Sequence, residues 1–168
     1  MRGLGALLAA AAIALLMRST ALPALAARGV VLDVLAFVVA AWALRHGETA
    51  GTLFGFALGL AADLDAAHWL GRHALALSLL GYAVGRVSGT LVREQSRTHF
   101  TLLVLCTALH QAWALAFEIG APGSWAYAAQ RIGLAVAATA PAGTLVLALV
   151  RRVSGRPLFA HARLAPAP

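Results

Sequence analysis

The sequence predicts an all-α membrane protein with six transmembrane helices. Three observations carry that expectation. Hydrophobic residues make up 61% of the 168 positions and charged residues only 11%, against about 25% charged in an ordinary soluble domain. The mean hydropathy is +0.84. The apolar residues are gathered into six runs separated by short polar or Gly/Pro-bearing turns. A soluble domain of this size has no interior large enough for so much apolar surface, whereas lipid lets that surface face outward.

The runs extend over about Leu4–Met17, Val30–Leu44, Gly51–Leu64, Leu70–Leu91, Phe100–Ile119 and Trp125–Val150. A crossing takes about 20 residues. The last three runs meet that length. The first three fall short unless their small flanking residues extend them. The first also carries the elements of a signal peptide: a basic start, an apolar core and an Ala24-x-Ala26 site. Arg18 interrupts the run before that site, so a retained helix is the expectation. Arg45–Thr49 reads as a tight polar turn, Asp65–His73 as a longer loop, Arg93–Arg97 as a compact loop and Gly120–Ser124 as a turn. One transmembrane domain is expected over 1–150, followed by a short, basic, Pro-containing cytoplasmic tail over 151–168.

The net charge of +7 comes from arginine, since the chain has no lysine. With six crossings and the N-terminus inside, Arg2, Arg45, Arg86, Arg93, Arg97, Arg151, Arg152, Arg156 and Arg163 fall on the cytoplasmic side. Arg18, Arg28, Arg72 and Arg131 fall outside. The excess inside predicts both termini in the cytoplasm. The arginines are spread singly between apolar runs, which argues against a nucleic-acid surface. Cys106 is the only cysteine, which excludes an intrachain disulfide. No nucleotide loop, nucleophile elbow or catalytic carboxylate pair is present, so the expectation is a non-enzyme without cofactor or metal.

Within "GTLFGFALGLAADLD", Gly51, Gly55 and Gly59 recur at four-residue spacing and Asp63 continues the series. On a helix these positions share a face. The glycines form a smooth strip suited to close helix packing in lipid, either within the chain or as a groove for a partner helix. Asp63 sits where the helix dipole disfavours a carboxylate and so calls for a partner: a helix N-terminus, a hydrated cavity, or an arginine, of which Arg72 is nearest in sequence.

Asp63, Asp65, His68 and His73 are metal-type side chains on one loop, without a spacing that fixes a coordination geometry. His110 and Gln111 lie mid-way along the fifth run and read as polar packing or a ligand site, with no acidic residue expected at their depth. Pro141 and Gly143 should bend or loosen the last helix. Trp42, Trp69, Trp125 and Tyr127 fall near run ends as interfacial anchors, and Trp113 lies deeper, where it should pack between helices.

Residues 29–86 resemble the rod shape-determining MreD family. The matching positions are Gly29 and Asp33 at the second helix, then Gly51, Gly55, Phe56, Gly59, Leu60 and Asp63. Leu70, Gly71, Ala74 and Leu75 follow, and after them the Gly81–Tyr82 pair. The chain departs from the family pattern at Leu32, where a proline is usual. The resemblance implies a six-helix fold like that of the energy-coupling-factor S-components, the substrate-binding subunits of vitamin importers. It implies a scaffold role in the cell-elongation and peptidoglycan-synthesis machinery of the bacterial inner membrane. Its implied partners are the lipid bilayer, MreC, and more remotely MreB, RodA and the elongation transpeptidase. The alternative reading is a substrate-binding subunit of a vitamin-type importer.

Overall fold

A computed structural model describes residues 2–66, 70–90, 96–118 and 125–154. All of its regular elements are helical. The first helix, α1, runs over 2–26: an α-helix at Arg2–Leu16, a π-helical turn at Met17–Ala21 and a further α-helical turn at Leu22–Ala26. The π turn carries the chain through Arg18, so the helix extends well beyond the first apolar run. Gly29, at φ +79°, ends it. The N–H of Val30 bonds the carbonyl of Leu25 and that of Gly29 bonds Ala26, the Schellman pattern that a left-handed glycine permits.

The helical stretch Val34–Ala66 is broken at Gly47, whose φ of 83° and ψ of −173° belong to no helix. We label its two halves α2 (34–46) and α3 (48–66). The chain reverses at this glycine. A Cβ placed on Gly51 would lie 2.6 Å from the Cβ of Ala43, and the rings of Trp42 and Phe54 lie 5.1 Å apart. Positions eight and twelve apart meet this way only in a hairpin. The polar turn expected at Arg45–Thr49 is therefore present, reduced to one residue with no Cβ to obstruct it. Three further helices follow: α4 (Arg72–Thr90), α5 (Ser96–Glu118) and α6 (Trp125–Ser154). The last continues unbroken through Pro141 and past Val150, where a tail was expected to begin.

Alongside Leu44, Leu58, Leu77 and Leu103, the core is rich in small residues, and many large apolar side chains lie outside it. Ala36, Ala40, Ala43, Ala62 and Ala140 are fully or almost fully buried, while Leu53, Leu64, Leu109, Leu145 and Leu149 are more than half exposed. Small residues inside and large apolar ones outside suit helices whose solvent is lipid. Among the described residues three helices are long and apolar enough to cross a membrane, over Ala9–Ala26, Arg97–Ala116 and Trp125–Val153. α4 was expected among them and is not. Its 19 residues are diluted by Ser78, Gly81, Gly85, Arg86, Ser88 and Gly89. α1 joins the group instead, because its helix continues past Arg18.

The glycine strip is the joint between α3 and α4. A Cβ on Gly55 would strike the carbonyl of Leu77, and one on Gly59 the backbone of His73 and Ala74. Gly51 and Gly81 meet backbone to backbone, and Gly85 abuts Gly47 and Glu48. Each four-residue step up α3 is matched by a four-residue step down α4, so the two helices run antiparallel in one fixed register. The strip is filled from within the chain. A partner's helix has no room on it, and the partner-groove reading of Gly51, Gly55 and Gly59 gives way to an internal joint. At the turn end of this joint Arg86 and Glu48 pair at 3.3 Å on the surface.

Because the obstacle is backbone, even one methyl group must separate the helices. Gly55→Ala and Gly59→Ala are expected to destabilise the protein by about 1–3 kcal/mol. Gly133, with nothing within 4 Å of its added Cβ, should accept alanine with little change or a small gain in stability. Thermal unfolding of the three variants in detergent, with membrane abundance alongside, measures the contrast.

Candidate functional site

Two buried carboxylates organise the end of the bundle where α1 and α3 finish and α2 and α4 begin. Asp33 precedes α2 and caps it: its Oδ1 accepts the N–H of Ala36 at 3.1 Å, satisfying a donor that the first helical turn leaves unpaired. Its own N–H donates to Oγ1 of Thr139 on α6 at 2.9 Å. Its Oδ2 faces α5, 2.6 Å from Nδ1 of His110 and 3.2 Å from Nε2 of Gln111. One side chain thus ties α2 to α5, and its backbone ties α2 to α6. Asp33 is 4% exposed and His110 6%, so the pair is largely withdrawn from bulk solvent.

Asp63 is fully buried at the end of α3. Its two oxygens accept the backbone N–H groups of Gly71, His73 and Ala74 at 3.0–3.1 Å. Nδ1 of His73 lies 2.8 Å away. Asp63 therefore caps α4 from the neighbouring helix, a negative charge on the positive end of the α4 dipole. Gly71, at φ +95°, lets the chain enter α4 at this close approach. The sequence pointed to Arg72 as the nearest arginine. The observed partners of Asp63 are backbone donors and His73, while the carbonyl of Arg72 accepts the indole N–H of Trp113 at 3.1 Å, joining α4 to α5.

The two dyads adjoin. The rings of His73 and His110 are 5.7 Å apart between centroids. Beside them a cavity of about 250 Å³ is lined by Arg18, Arg72, Arg131, His73, His110 and Asp33, among others. Arg18 reaches it from the π turn of α1, where one of its N–H groups donates to the carbonyl of Ala62 at 3.2 Å. Three of the four arginines that the sequence placed on the outer side, in separate segments, thus converge on one chamber.

The other sequence candidates divide clearly. His110 and Gln111 share Asp33, and the expectation that no acid lies at their depth is corrected. The acid comes from the start of α2, 77 positions away, a distance at which one sequence carries no pairing signal. His73 and Asp63 are in contact, His68 and Trp69 lie outside the described residues, and no group of three metal-type side chains forms among the described residues. Phe56, Leu60, Leu70 and Tyr82 are exposed, and Gly29, Gly71 and Gly81 serve the backbone roles given above. Trp125 and Tyr127 are exposed at the start of α6, whereas Trp42 is partly buried and stacks on His46 at 4.0 Å. Cys106 is buried. Thr139 and Arg18 were not singled out as site residues. A threonine and an arginine inside apolar runs were their only sequence signals.

A family model for the rod shape-determining protein MreD matches residues 2–121. The chain belongs to the MreD family. The matched segment takes in Asp33, Asp63, His73, His110 and the glycine joint, while α6, with Thr139 and Arg131, lies beyond it. No curated protein and no solved structure matches the chain. Membership of the MreD family, with helices apolar enough to span a bilayer, makes this a membrane protein with a role in rod shape determination.

The Asp33–His110 contact makes a specific energetic claim. Removing either partner leaves the other buried with unmet hydrogen-bonding capacity. Asp33→Asn and His110→Gln should each destabilise the protein. Combined, they should be less damaging than the two single effects added, with a coupling of about 0.5–3 kcal/mol. A double-mutant cycle on unfolding in detergent measures it. Strict additivity would show that the two groups do not interact.

Proposed function

We propose that this chain is a non-enzymatic scaffold subunit of the cell-elongation machinery. It crosses the bacterial inner membrane six times with both termini in the cytoplasm, and it binds MreC through its transmembrane helices. The family match is the observation that carries this reading. Two features of the fold support it. α2, α3 and α4 alternate in direction through successive hairpins, as successive crossings would require. The arginines assigned to the outer side gather at one end, Arg18, Arg72 and Arg131 around the cavity, while Arg86, Arg151 and Arg152 lie near the other helix ends. A six-helix fold of the S-component kind is part of this reading.

The surface offered to MreC is the outer face of α3. With the glycine side of α3 consumed by α4, the opposite stripe of Leu53, Phe56, Leu60 and Leu64 points outward. Phe56 and Leu60 are exposed positions of the family pattern, which suits a surface used between proteins. MreB, RodA and the elongation transpeptidase would then be engaged through MreC or beside it. The basic cavity favours a second reading, a substrate-binding subunit of a small-molecule importer. Transport of a small molecule by the purified chain with its coupling subunits would favour that reading over the first.

Two measurements test the proposal. Reporter fusions after Ser154 and near Ala66 should report the cytoplasm and the periplasm respectively, and a periplasmic signal after Ser154 would reject the topology. Phe56→Ala combined with Leu60→Ala should lower MreC co-purification several-fold at normal membrane abundance, with loss of rod shape. Leu145→Ala, more exposed still and on α6, should leave both unchanged. Undiminished MreC recovery with the α3 pair would remove that face from the interface.

A further inference from the structure

α4 and α5 turn apolar stripes toward each other that do not close. They leave a groove of about 390 Å³ between Ala76 to Val87 of α4 and Leu102 to Trp113 of α5. Its floor is Leu80, Val84, Cys106 and His110, each no more than 8% exposed. Its rims are Leu79, Ala83 and Val87 on one side and Leu105 and Leu109 on the other, all exposed. Residues four apart share a helix face, so floor and rims run lengthwise along the two helices. Trp113 stands at one end, where its indole N–H donates to the carbonyl of Arg72. The α5 wall lies within a stretch apolar enough to cross a membrane, so the groove opens sideways to hydrocarbon.

Size decides between a helix and a single chain as its occupant. Each wall extends about 16 Å along its helix, close to half of a hydrocarbon core about 30 Å thick. Spread over that length, the groove has a mean cross-section of about 24 Å². An α-helix with its side chains takes up roughly 80–110 Å² in cross-section. A partner's helix can lie across the rims but cannot enter. One hydrocarbon chain, lying lengthwise within a single leaflet, can.

The floor carries one polar side chain. His110 is more than nine-tenths buried, and its Nε2 has no hydrogen-bond partner among the described residues. Buried polar atoms are rarely left in that condition. Asp33 fixes the tautomer. Its carboxylate also accepts from Ala36 and Gln111, so Nδ1 of His110 donates to it at 2.6 Å. Nε2, on the other side of the ring, is then an acceptor in the neutral imidazole. A hydroxyl supplies the missing donor and carries no charge, which would be costly at hydrocarbon depth.

We propose that the α4–α5 groove binds a lipid alcohol, with its hydrocarbon chain laid between the two helices and its hydroxyl donating to Nε2 of His110. The site stands on the dimensions of the groove and on His110, and it does not depend on the elongation reading.

The test uses the full chain in detergent micelles. The probes are 1-hexadecanol and hexadecyl methyl ether, which has the same chain and no donor. Native mass spectrometry should retain the alcohol about two- to tenfold better than the ether, the difference that one hydrogen bond makes. Ala83→Phe, which sets a ring on the exposed rim, should abolish retention of both. Leu145→Phe, exposed on α6 and outside the lining, should not. Equal retention of alcohol and ether would overturn the lipid-alcohol assignment, and alcohol retention that survives Ala83→Phe would overturn the groove. So would a dimer that dissociates in Ala83→Phe with no alcohol retained, which would make this face an interface between copies. If Ala83→Phe is not recovered folded, a diazirine-bearing hexadecanol on the wild-type chain decides. Its crosslinks should fall on 76–87 and 102–113, and crosslinks confined to other segments would overturn the site.

Discussion

The contact between the backbones of α3 and α4 is the constraint on which the rest of this bundle depends. Dispersion and close packing must hold helices together where lipid is as apolar as any side chain, and both strengthen when backbones touch. Gly51, Gly55 and Gly59 on one helix and Gly81 and Gly85 on the other permit that approach. The register this sets places Asp63 against the start of α4. It thereby fixes His73, and through the Arg72 carbonyl it positions α5 at Trp113. A carboxylate at the C-terminal end of its own helix is disfavoured by the dipole. The same carboxylate at the N-terminal end of the next helix is favoured, and the antiparallel joint converts one into the other.

Asp33 does for α5 and α6 what the glycines do for α4. Those two helices have little close backbone contact with the hairpin, so polar groups fasten them. The carboxylate caps α2, meets His110 and Gln111 on α5, and its backbone N–H meets Thr139 on α6. Such a network specifies a unique arrangement because any other would strand buried polar groups. The two modes occupy different parts of the fold: a dry, side-chain-free joint between α3 and α4, and a hydrogen-bonded hub where α2, α5 and α6 meet. The basic cavity lies beside the hub and is lined by both histidines.

Family membership and fold inform each other here. The family model covers 2–121, which includes the glycine joint, both dyads and all of α5. The family pattern's glycines and aspartates are engaged in turns, joints and caps. Its exposed members, Phe56, Leu60, Leu70 and Tyr82, lie on outward faces. Residues that hold the helices together and residues offered to the surroundings are thus separated by side of the helix, as the α3 face opposite its glycines illustrates.

The sequence by itself determined the membrane class, the helical runs and the polar turn over Arg45–Thr49. Composition and hydropathy are local, additive properties, and a glycine between two apolar runs is a local signal. It also determined that Gly51, Gly55 and Gly59 would meet another helix, since spacing alone puts them on one face. Only the tertiary structure decided which helix that was. It also decided that α1 continues through Arg18, that Asp63 serves α4, that Asp33 is the acid opposite His110, and that arginines from α1, α4 and α6 surround one cavity. Pairings across tens of positions depend on the register of antiparallel helices, and that register is set by backbone contacts summed along whole helices, which no single stretch of sequence records.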